Sequence, residues 1–320
     1  MTDYADLELD AIARRLDSND VAVRRIAVRQ LVDSQEPEAV ALLLRALRDD
    51  DDSVRREAAL LIDEFEASDM ASALLDAITS TDANVRNAAA RALADLKDAA
   101  AVPSLLAALH NRENSADSFV LASVLSALKH FRVEAALPHA QQLLQHAETA
   151  VRREAIAVLG YLRHPAALAD LQRLALHDSA ADVRQAAISA LPFAEAATIA
   201  DTLIHALSDT HWQVRTEAAT VIGRAAVTAA TPNLIAATQD ERWQVREKAV
   251  EALGKLHATE AVAAIGTCTV DETSNLRKAA VAALGEIAHH DALPYLTQAL
   301  EDPDPDVRKV ARWAINRIQQ

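Results

Sequence analysis

Cysteine, glycine, proline and aromatic residues are all scarce in this sequence. The 320 residues include one Cys, five Gly and nine Pro, and aromatics make up 3% of the chain. The single cysteine, Cys268, excludes an internal disulfide and a cysteine-rich zinc site. Few glycines and prolines argue against an all-β fold with many turns. Because 51% of the residues are nevertheless hydrophobic, we expect a core of Ala, Leu, Val and Ile, which suits closely packed helices.

An excess of positive charge and a long apolar segment are missing as well. The formal net charge is −15, so general binding to nucleic acid or anionic membrane is not expected, because phosphate contacts need clustered Lys and Arg. No apolar run reaches the roughly 18 residues of a membrane-spanning helix. The segment 1–16 is acidic and lacks the apolar region of a signal peptide. These features predict a cytoplasmic location.

A short string recurs along the chain: an aliphatic residue, usually followed by Arg, then small residues. We call the aliphatic residue the anchor and count positions from it. The ten anchors are Val23, Val54, Val85, Val120, Val151, Val183, Val214, Val245, Leu276 and Val307. Successive anchors lie 31 residues apart, except for gaps of 35 before Val120 and 32 before Val183. Such self-similarity at a fixed period is typical of repeat architectures.

Each repeat unit has the pattern of two helices. Position four is Ala in nine of the ten units and position eight is Leu or Ile, a spacing that places both on the face of the anchor. Glycines at position nine predict a left-handed residue where the second helix ends. Prolines then begin the next first helix, and aspartates in the turns are expected to cap second helices. Since no hairpin of this size buries its apolar faces alone, we predict an all-α fold, a right-handed α-solenoid of about ten such hairpins.

The pattern D-x-x-V-R-x-x-A-x-x-A-L-G, with a D-x-x-W-x-V-R variant, resembles the short HEAT repeats named after phycobilisome bilin lyases. Segments 209–225 and 240–256 match it closely, and the resemblance covers essentially the whole chain. It implies that second helices line a concave face and that Asp and Arg form a ladder between neighbouring repeats. The arginines at the ladder position are Arg24, Arg55, Arg86, Arg152, Arg184, Arg215, Arg246, Arg277 and Arg308. In the fourth repeat Leu121 takes this position.

The arginine row has two interpretations. It resembles a phosphate-binding row, but pairing with turn aspartates is favoured because Asp recurs beside Arg in nearly every unit. The acidic run at 49–52 is interpreted in the same way, as a capping and solubility feature, since it lacks the spacing of a calcium-binding loop.

The sequence predicts one continuous array over residues 1–320. Its fourth repeat, near 101–131, is irregular, because its turn at 110–119 is longer and its ladder arginine is missing. This repeat is either a packing adjustment with a longer surface loop, or a hinge or contact loop. In the second case the array bends between 1–100 and 132–320.

Two groups of side chains are candidates for partner binding. Trp212 and Trp243 share one phase in adjacent repeats, with His211 and Arg242 before them. They are either a packing feature or a hot spot for a partner chain. Positions two and six of the second helices should lie on the concave face, and in repeats 1–3 they include four arginines. These are Arg25, Arg29, Arg56 and Arg91. They either solvate a helix face or form a basic groove for an acidic partner.

No catalytic, metal or cofactor motif stands out. The eleven histidines show no H-x-x-x-H or H-E-x-x-H spacing, and P-loop, G-x-S-x-G and G-x-G-x-x-G motifs are missing. We therefore expect no catalytic residues, no metal and no cofactor. The leading hypothesis is a non-catalytic scaffold or adaptor, monomeric, that binds a protein or peptide, acidic if the arginine groove is used. The alternative is a bilin-lyase-like or maturation-chaperone subunit that acts on a cofactor-bearing protein. A HEAT-like DNA glycosylase is disfavoured by the acidic charge.

Overall fold

The computed structural model describes residues 4–33, 37–61, 67–79, 81, 83–110 and 117–319. Within these residues all regular structure is helical, with twenty α-helices, several short 3-10 turns and no β-strand. The predicted all-α fold is confirmed.

The helices alternate between a first and a second helix of each pair. The first helices are α1 Tyr4–Leu16, α3 Pro37–Ala46, α5 Ala67–Ala77, α7 Val102–His110, α9 Leu137–Leu143, α11 Leu168–His177, α13 Ala196–Ala206, α15 Thr231–Ala237, α17 Val262–Cys268 and α19 Leu293–Ala299. The second helices are α2 Val21–Gln30, α4 Asp52–Leu60, α6 Ala83–Asp95, α8 Ser118–Leu128, α10 Thr149–Leu162, α12 Ala181–Ala190, α14 Trp212–Arg224, α16 Trp243–Lys255, α18 Ser274–Ile287 and α20 Pro305–Ile318.

The anchor and positions four and eight supply most of the buried core in the described helix pairs. In α14, Val214, Ala218 and Ile222 lie on one face and are fully buried. Several neighbouring second helices pack on one another, such as α6 with α8 and α16 with α18, and the small alanines let their backbones approach closely. Burying a side chain of the size of Ile stabilises the fold by about 1.5–3 kcal/mol. The 31-residue period therefore repeats such a layer along each unit.

Aspartates cap several second helices. Asp20, Asp51, Asp117 and Asp304 each accept a backbone N–H from the residue two places ahead, at 2.8–2.9 Å. Each carboxylate satisfies a donor that the first turn of the helix leaves unpaired. The acidic turns thus fix where these second helices begin.

The predicted role of the repeated glycines is wrong. Gly223, Gly254 and Gly285 have helical backbone within α14, α16 and α18, and no described glycine has a positive φ. Their function is close approach: a Cβ on Gly254 would lie 2.9 Å from the Cα of Ala283 in the next second helix. The glycines therefore let neighbouring second helices come together near their C-termini.

The left-handed residue comes three places later and is not glycine. Position twelve has φ between 49° and 56° in five repeats, at Arg132, Arg163, Ala226, His257 and Ala288. In repeat 7 the N–H of Val227 then donates to the carbonyl of Ile222 at 3.1 Å, the hydrogen bond of a Schellman motif. The prediction located the end of the helix too early because the glycine serves packing instead.

The chain divides into two compact units of five helix pairs each. The first unit is Met1–Leu162, with α1 to α10, and the second is Arg163–Gln320, with α11 to α20. Most of the long turn predicted in repeat 4 lies outside the described residues, at 111–116. The bend near this repeat stays a prediction.

Among the helices of the described residues, none has both the length and the apolar character needed to cross a bilayer.

Candidate functional site

Four arginines of the second unit each pair with an aspartate 25 residues later, in the turn of the following repeat. Every pair has an N–O distance of 2.7 Å. The pairs are Arg184–Asp209, Arg215–Asp240, Arg246–Asp271 and Arg277–Asp302. Three of them are bidentate, with both carboxylate oxygens bonded to the guanidinium. Because the paired side chains are largely buried, they interact more strongly than exposed ion pairs do.

The same arginines also bond to the turn before their own helix. Arg215 donates through Nη1 to the carbonyl of Asp209 at 2.8 Å, while its partner Asp240 accepts the backbone N–H of Arg242 at 2.8 Å. One guanidinium thus joins two consecutive turns. The carboxylate occupies the guanidinium N–H donors that a phosphate would need. Since the arginine connects two neighbouring repeats, we call this arrangement a staple.

In the first unit the pattern is less regular. Arg24 pairs with Asp49 at 2.6 Å, again 25 residues later. Arg86 pairs with Asp117 at 3.0 Å and lies 4.5 Å from the ring centre of Phe119, a cation–π distance. Asp117 is 31 residues after Arg86, because repeat 4 has four extra residues and Asp117 stands two places nearer its anchor than the other aspartates do.

Three further arginines of the row keep the bonds to their own turn. Arg55, Arg152 and Arg308 each donate to two backbone carbonyls of the turn before their helix. Arg55 also forms an ion pair with Asp52 in its own helix. In repeat 4 the buried Leu121 stands at this position. The carbonyl contacts therefore form within one repeat, whereas the carboxylate contacts require the next repeat along the chain.

The staples shift the ionisation of their carboxylates. Burial opposes ionisation of Asp209, but hydrogen bonds from Arg184 and the N–H of His211 outweigh it and hold its pKa below the ordinary value. The hydrogen bond from Arg277 is the largest influence on Asp302 and lowers its pKa against the effect of burial. Both aspartates therefore stay ionised in mildly acidic solution, and the staples with them.

The two repeated tryptophans begin neighbouring second helices. Trp212 and Trp243 are the first residues of α14 and α16, which pack together, and both are half-buried. His211 lies 3.2 Å from Arg184 through its Nδ1 and so contacts a ladder arginine. The side chain of Arg242 is 57% exposed. Of these four candidates, Arg242 offers the most accessible polar group to a partner.

Two of the four arginines predicted to line a groove share one carboxylate. Arg25 and Arg29 extend from α2 to Glu57 on α4, with Nη2–Oε2 distances of 3.1 and 3.0 Å. The hydrogen bond from Arg29 is the largest reason that the pKa of Glu57 lies below its ordinary value, against burial. Arg56 is exposed beside Glu57. These residues form one cluster on the packed pair α2 and α4.

The fourth predicted arginine, Arg91 of α6, lies apart from this cluster. It lines a groove with Asn87, Arg48 and Arg55, next to the acidic turn at 49–50. The structure therefore does not assign it to the cluster around Glu57.

A groove in the second unit was missed by the sequence analysis. It measures about 440 Å³ and is lined by residues of three consecutive second helices, including Glu247, Glu251, Lys278 and Val310. Burial raises the pKa of Glu247. The groove brings positions two, three and six of neighbouring repeats to one surface, which we call the second-helix face. Its signal was present in the glutamates at positions two and six of repeat 8.

Exposed apolar side chains stand at positions three and six of other repeats. Leu60 of α4 is 74% exposed and Ile26 of α2 is 56% exposed. In the second unit, Trp313 of α20 is 45% exposed, with the guanidinium of Arg317 5.6 Å from its ring centre. Residues that combine large apolar surface with exposure are characteristic of contact sites.

Metal-binding geometry does not occur in the described part of the chain, where no three His, Cys, Asp or Glu side chains converge. His110 and His139 stack edge to face with ring centres 4.2 Å apart, and burial lowers the pKa of His139. Cys268 is buried, which raises the pKa of its thiol.

The stacked hairpins and their stapled turns define an α-solenoid. The family model of HEAT repeats matches residues 4–63, 47–117, 113–192, 200–269 and 264–320, which is almost the whole chain. The chain belongs to the HEAT-repeat family. A comparison with curated proteins gives no match.

Solved structures with the same fold include one engineered protein and several karyopherins. The engineered protein is 21% identical, with a TM-score of 0.53, over 98% of this chain and 99% of its own. A structure of Kap95p with RanGDP is 16% identical, with a TM-score of 0.62, over 99% of this chain and 51% of the other. The karyopherin Kap121p, bound to the extreme C-terminus of the phosphatase Cdc14p, is 16% identical, with a TM-score of 0.54, over 97% and 41%. The chain thus spans about half the length of these karyopherins, and the likeness concerns the fold.

Proposed function

We propose that this protein is a non-catalytic scaffold or adaptor that binds a protein partner through the second-helix face, the concave face in HEAT repeats. The observation that carries the proposal is the contrast between two sets of positions. The anchor, position four and position eight stay apolar along the chain, whereas positions two and six change in charge and size from repeat to repeat. Stacking explains the constant set, so a partner is the best explanation of the variable one.

The karyopherin structures support this use of the fold. Kap95p is seen with RanGDP, and Kap121p with a C-terminal segment of Cdc14p, so the same architecture serves protein binding in those molecules. The groove of α16, α18 and α20 lies on the second-helix face. Such surfaces on consecutive second helices suit an extended partner segment better than a small substrate.

Affinity capture with matched variants tests the proposal. The tagged chain is compared with two quadruple alanine variants in lysate of the source organism, and bound proteins are quantified by mass spectrometry. The first variant changes the second-helix face at Arg56, Arg91, Gln185 and Lys309. The second variant changes exposed residues of first helices at Gln142, Arg173, Asp201 and Gln298.

The proposal predicts a partner that is retained by the first-helix variant and depleted by the second-helix variant, with both variants folded by circular dichroism. A second-helix variant that retains every partner of the unmodified chain contradicts the proposed binding face. Absence of any reproducible partner contradicts the scaffold function itself.

A further inference from the structure

The second-helix face of the first two repeats has large apolar side chains that packing does not require. At positions three and six, repeats 3 to 9 have only Ala, Ser, Thr, Glu, Lys or Arg. Repeats 1 and 2 instead have Ile26 at position three and Leu60 at position six, both mostly exposed. Because more than half of each side chain is exposed to solvent, each offers apolar surface area to another molecule.

These two side chains lie on either side of an ion-paired bridge. Ile26 is one helical turn before Arg29 on α2, and Leu60 is one turn after Glu57 on α4, while Arg29 and Glu57 bond directly. Arg25 joins the same carboxylate. The bridge holds two arginines in place between the apolar residues and thus limits the entropy that they would lose on binding.

Among the described residues of this cluster, cationic side chains outnumber carboxylates. Arg25 and Arg29 share the carboxylate of Glu57, and their side chains remain 42% and 61% exposed. Arg56, the exposed residue before Glu57, donates to the backbone carbonyl of Asp52 at 3.4 Å. A guanidinium has five N–H donors, and Glu57 uses only some of them. The patch therefore combines apolar area with free donors that favour carboxylates.

We propose that the patch formed by Arg25, Ile26, Arg29, Arg56 and Leu60 binds an acidic amphipathic helix of the partner protein. This inference rests on the proposed scaffold function and specifies where and what it binds. Apolar side chains one turn apart on the partner helix pack on Ile26 and Leu60, and flanking Glu or Asp side chains accept hydrogen bonds from the arginines. A nucleic acid fits less well, because its phosphates leave the apolar residues uncovered and the net charge of the chain is −15.

Three synthetic helical peptides of equal length test the chemistry. They share one leucine stripe and have Glu, Gln or Lys at the flanking positions, and each is titrated with the full chain by fluorescence anisotropy. We expect binding of the Glu peptide, at least about tenfold weaker binding of the Gln peptide and none of the Lys peptide. The affinity of the Glu peptide should fall as salt is added. Failure of the Glu peptide to bind, or equal binding of all three, overturns the inference.

Matched variants test the location. Leu60→Ser and Arg56→Glu should each weaken binding of the Glu peptide by about tenfold. The controls are Val270→Ser, at an apolar residue 61% exposed outside this face, and Lys97→Glu, at an exposed cation between α6 and α7. Both controls should leave the affinity unchanged. Because all four positions are exposed, the thermal unfolding midpoints of the variants should stay close to that of the parent.

Failure of this inference is distinguishable from failure of the scaffold function. A captured partner that binds Leu60→Ser and Arg56→Glu as tightly as the parent leaves the scaffold standing and overturns the patch. A homodimer that dissociates in both variants identifies a second copy of the chain as the occupant and also overturns it.

Discussion

At the scale of single residues, the arginine that follows each anchor acts between repeats. Arg215 bonds to the carbonyl of Asp209 in its own turn and to the carboxylate of Asp240 in the next. A guanidinium is suited to this because its planar fork matches a carboxylate bidentately. The row that resembles a binding site is therefore engaged in stacking, and the accessible cations lie at other positions, such as Arg29 and Arg56.

Removal of one staple should destabilise the second unit. Arg215→Ala leaves the mostly buried Asp240 without its cation, and we expect a loss of about 2–3 kcal/mol in the free energy of unfolding. Arg308→Ala should cost less, because Arg308 bonds only to carbonyls of its own turn among the described contacts. Urea unfolding of both variants measures the difference. Equal losses would show that the carboxylate bond contributes nothing.

The same staples predict sensitivity to acid. The folded-state pKa values of Asp49, Asp209, Asp271 and Asp302 lie below the ordinary value, so the unfolded chain binds protons more readily. Stability from these groups is thus fully present above their unfolded pKa of about 4 and is lost as the pH falls through their folded values. The thermal midpoint should drop steeply below about pH 4. The Asp302→Asn variant should lose less of its thermal midpoint between neutral pH and pH 3 than the parent does. A parent midpoint that stays constant down to pH 3 would contradict the predicted acid sensitivity.

At the scale of helices, five of the described second helices end in a left-handed residue that is not glycine. Such a conformation costs an L-residue about 1–2 kcal/mol. It persists because the Schellman hydrogen bond and the packing at position nine fix where the helix stops.

Glycine at this position should therefore stabilise the protein. Ala226→Gly relieves the positive φ of 53° and should raise the free energy of unfolding by up to about 1 kcal/mol. Ala225→Gly, at the neighbouring residue with φ −89°, should instead lower it. Thermal unfolding of the pair gives the sign, and the same sign for both variants would contradict this account of the helix end.

The packing glycines predict the opposite response. Gly254→Ala introduces a better helix former, yet its Cβ would lie 2.9 Å from Ala283, so the helices must separate. We expect a net loss of about 1–3 kcal/mol, as in other overpacked cores. Gln244→Ala, on the same helix and half-buried, is the control and should change stability little. A more stable Gly254→Ala variant would show that the neighbouring helix yields easily.

The helices could be predicted from the sequence because their signals are local and repeated. The anchor, position four and position eight recur ten times, and most of those whose side chains the structure describes are buried, as a 3.6-residue period requires. The glycine role was predicted wrongly because close approach depends on a residue 29 positions away, such as Ala283 opposite Gly254. Glycine occurs both at the C-terminal ends of helices and at close contacts between helices. The sequence alone does not show which of these two roles a given glycine has.

At the scale of the whole molecule, the regular pattern separates framework from function. Stapling, capping and core positions account for most of what recurs, and the second-helix face accounts for what varies. The candidate surface was predicted only in part: the arginines at positions two and six could be read from the period, but the sharing of Glu57 by Arg25 and Arg29 and the exposure of Leu60 could not. Those features depend on side-chain contacts between repeats, which a period does not specify.

Hydrogen exchange measured by mass spectrometry, on the full chain with and without its captured partner, tests the scaffold account most directly. Backbone amides of helices are protected according to how readily each helix opens, so a bound partner slows exchange where it binds. The account predicts added protection in several consecutive second helices, beginning with α2 and α4, and little change in the first helices. Protection confined to first helices or to the turns would contradict it.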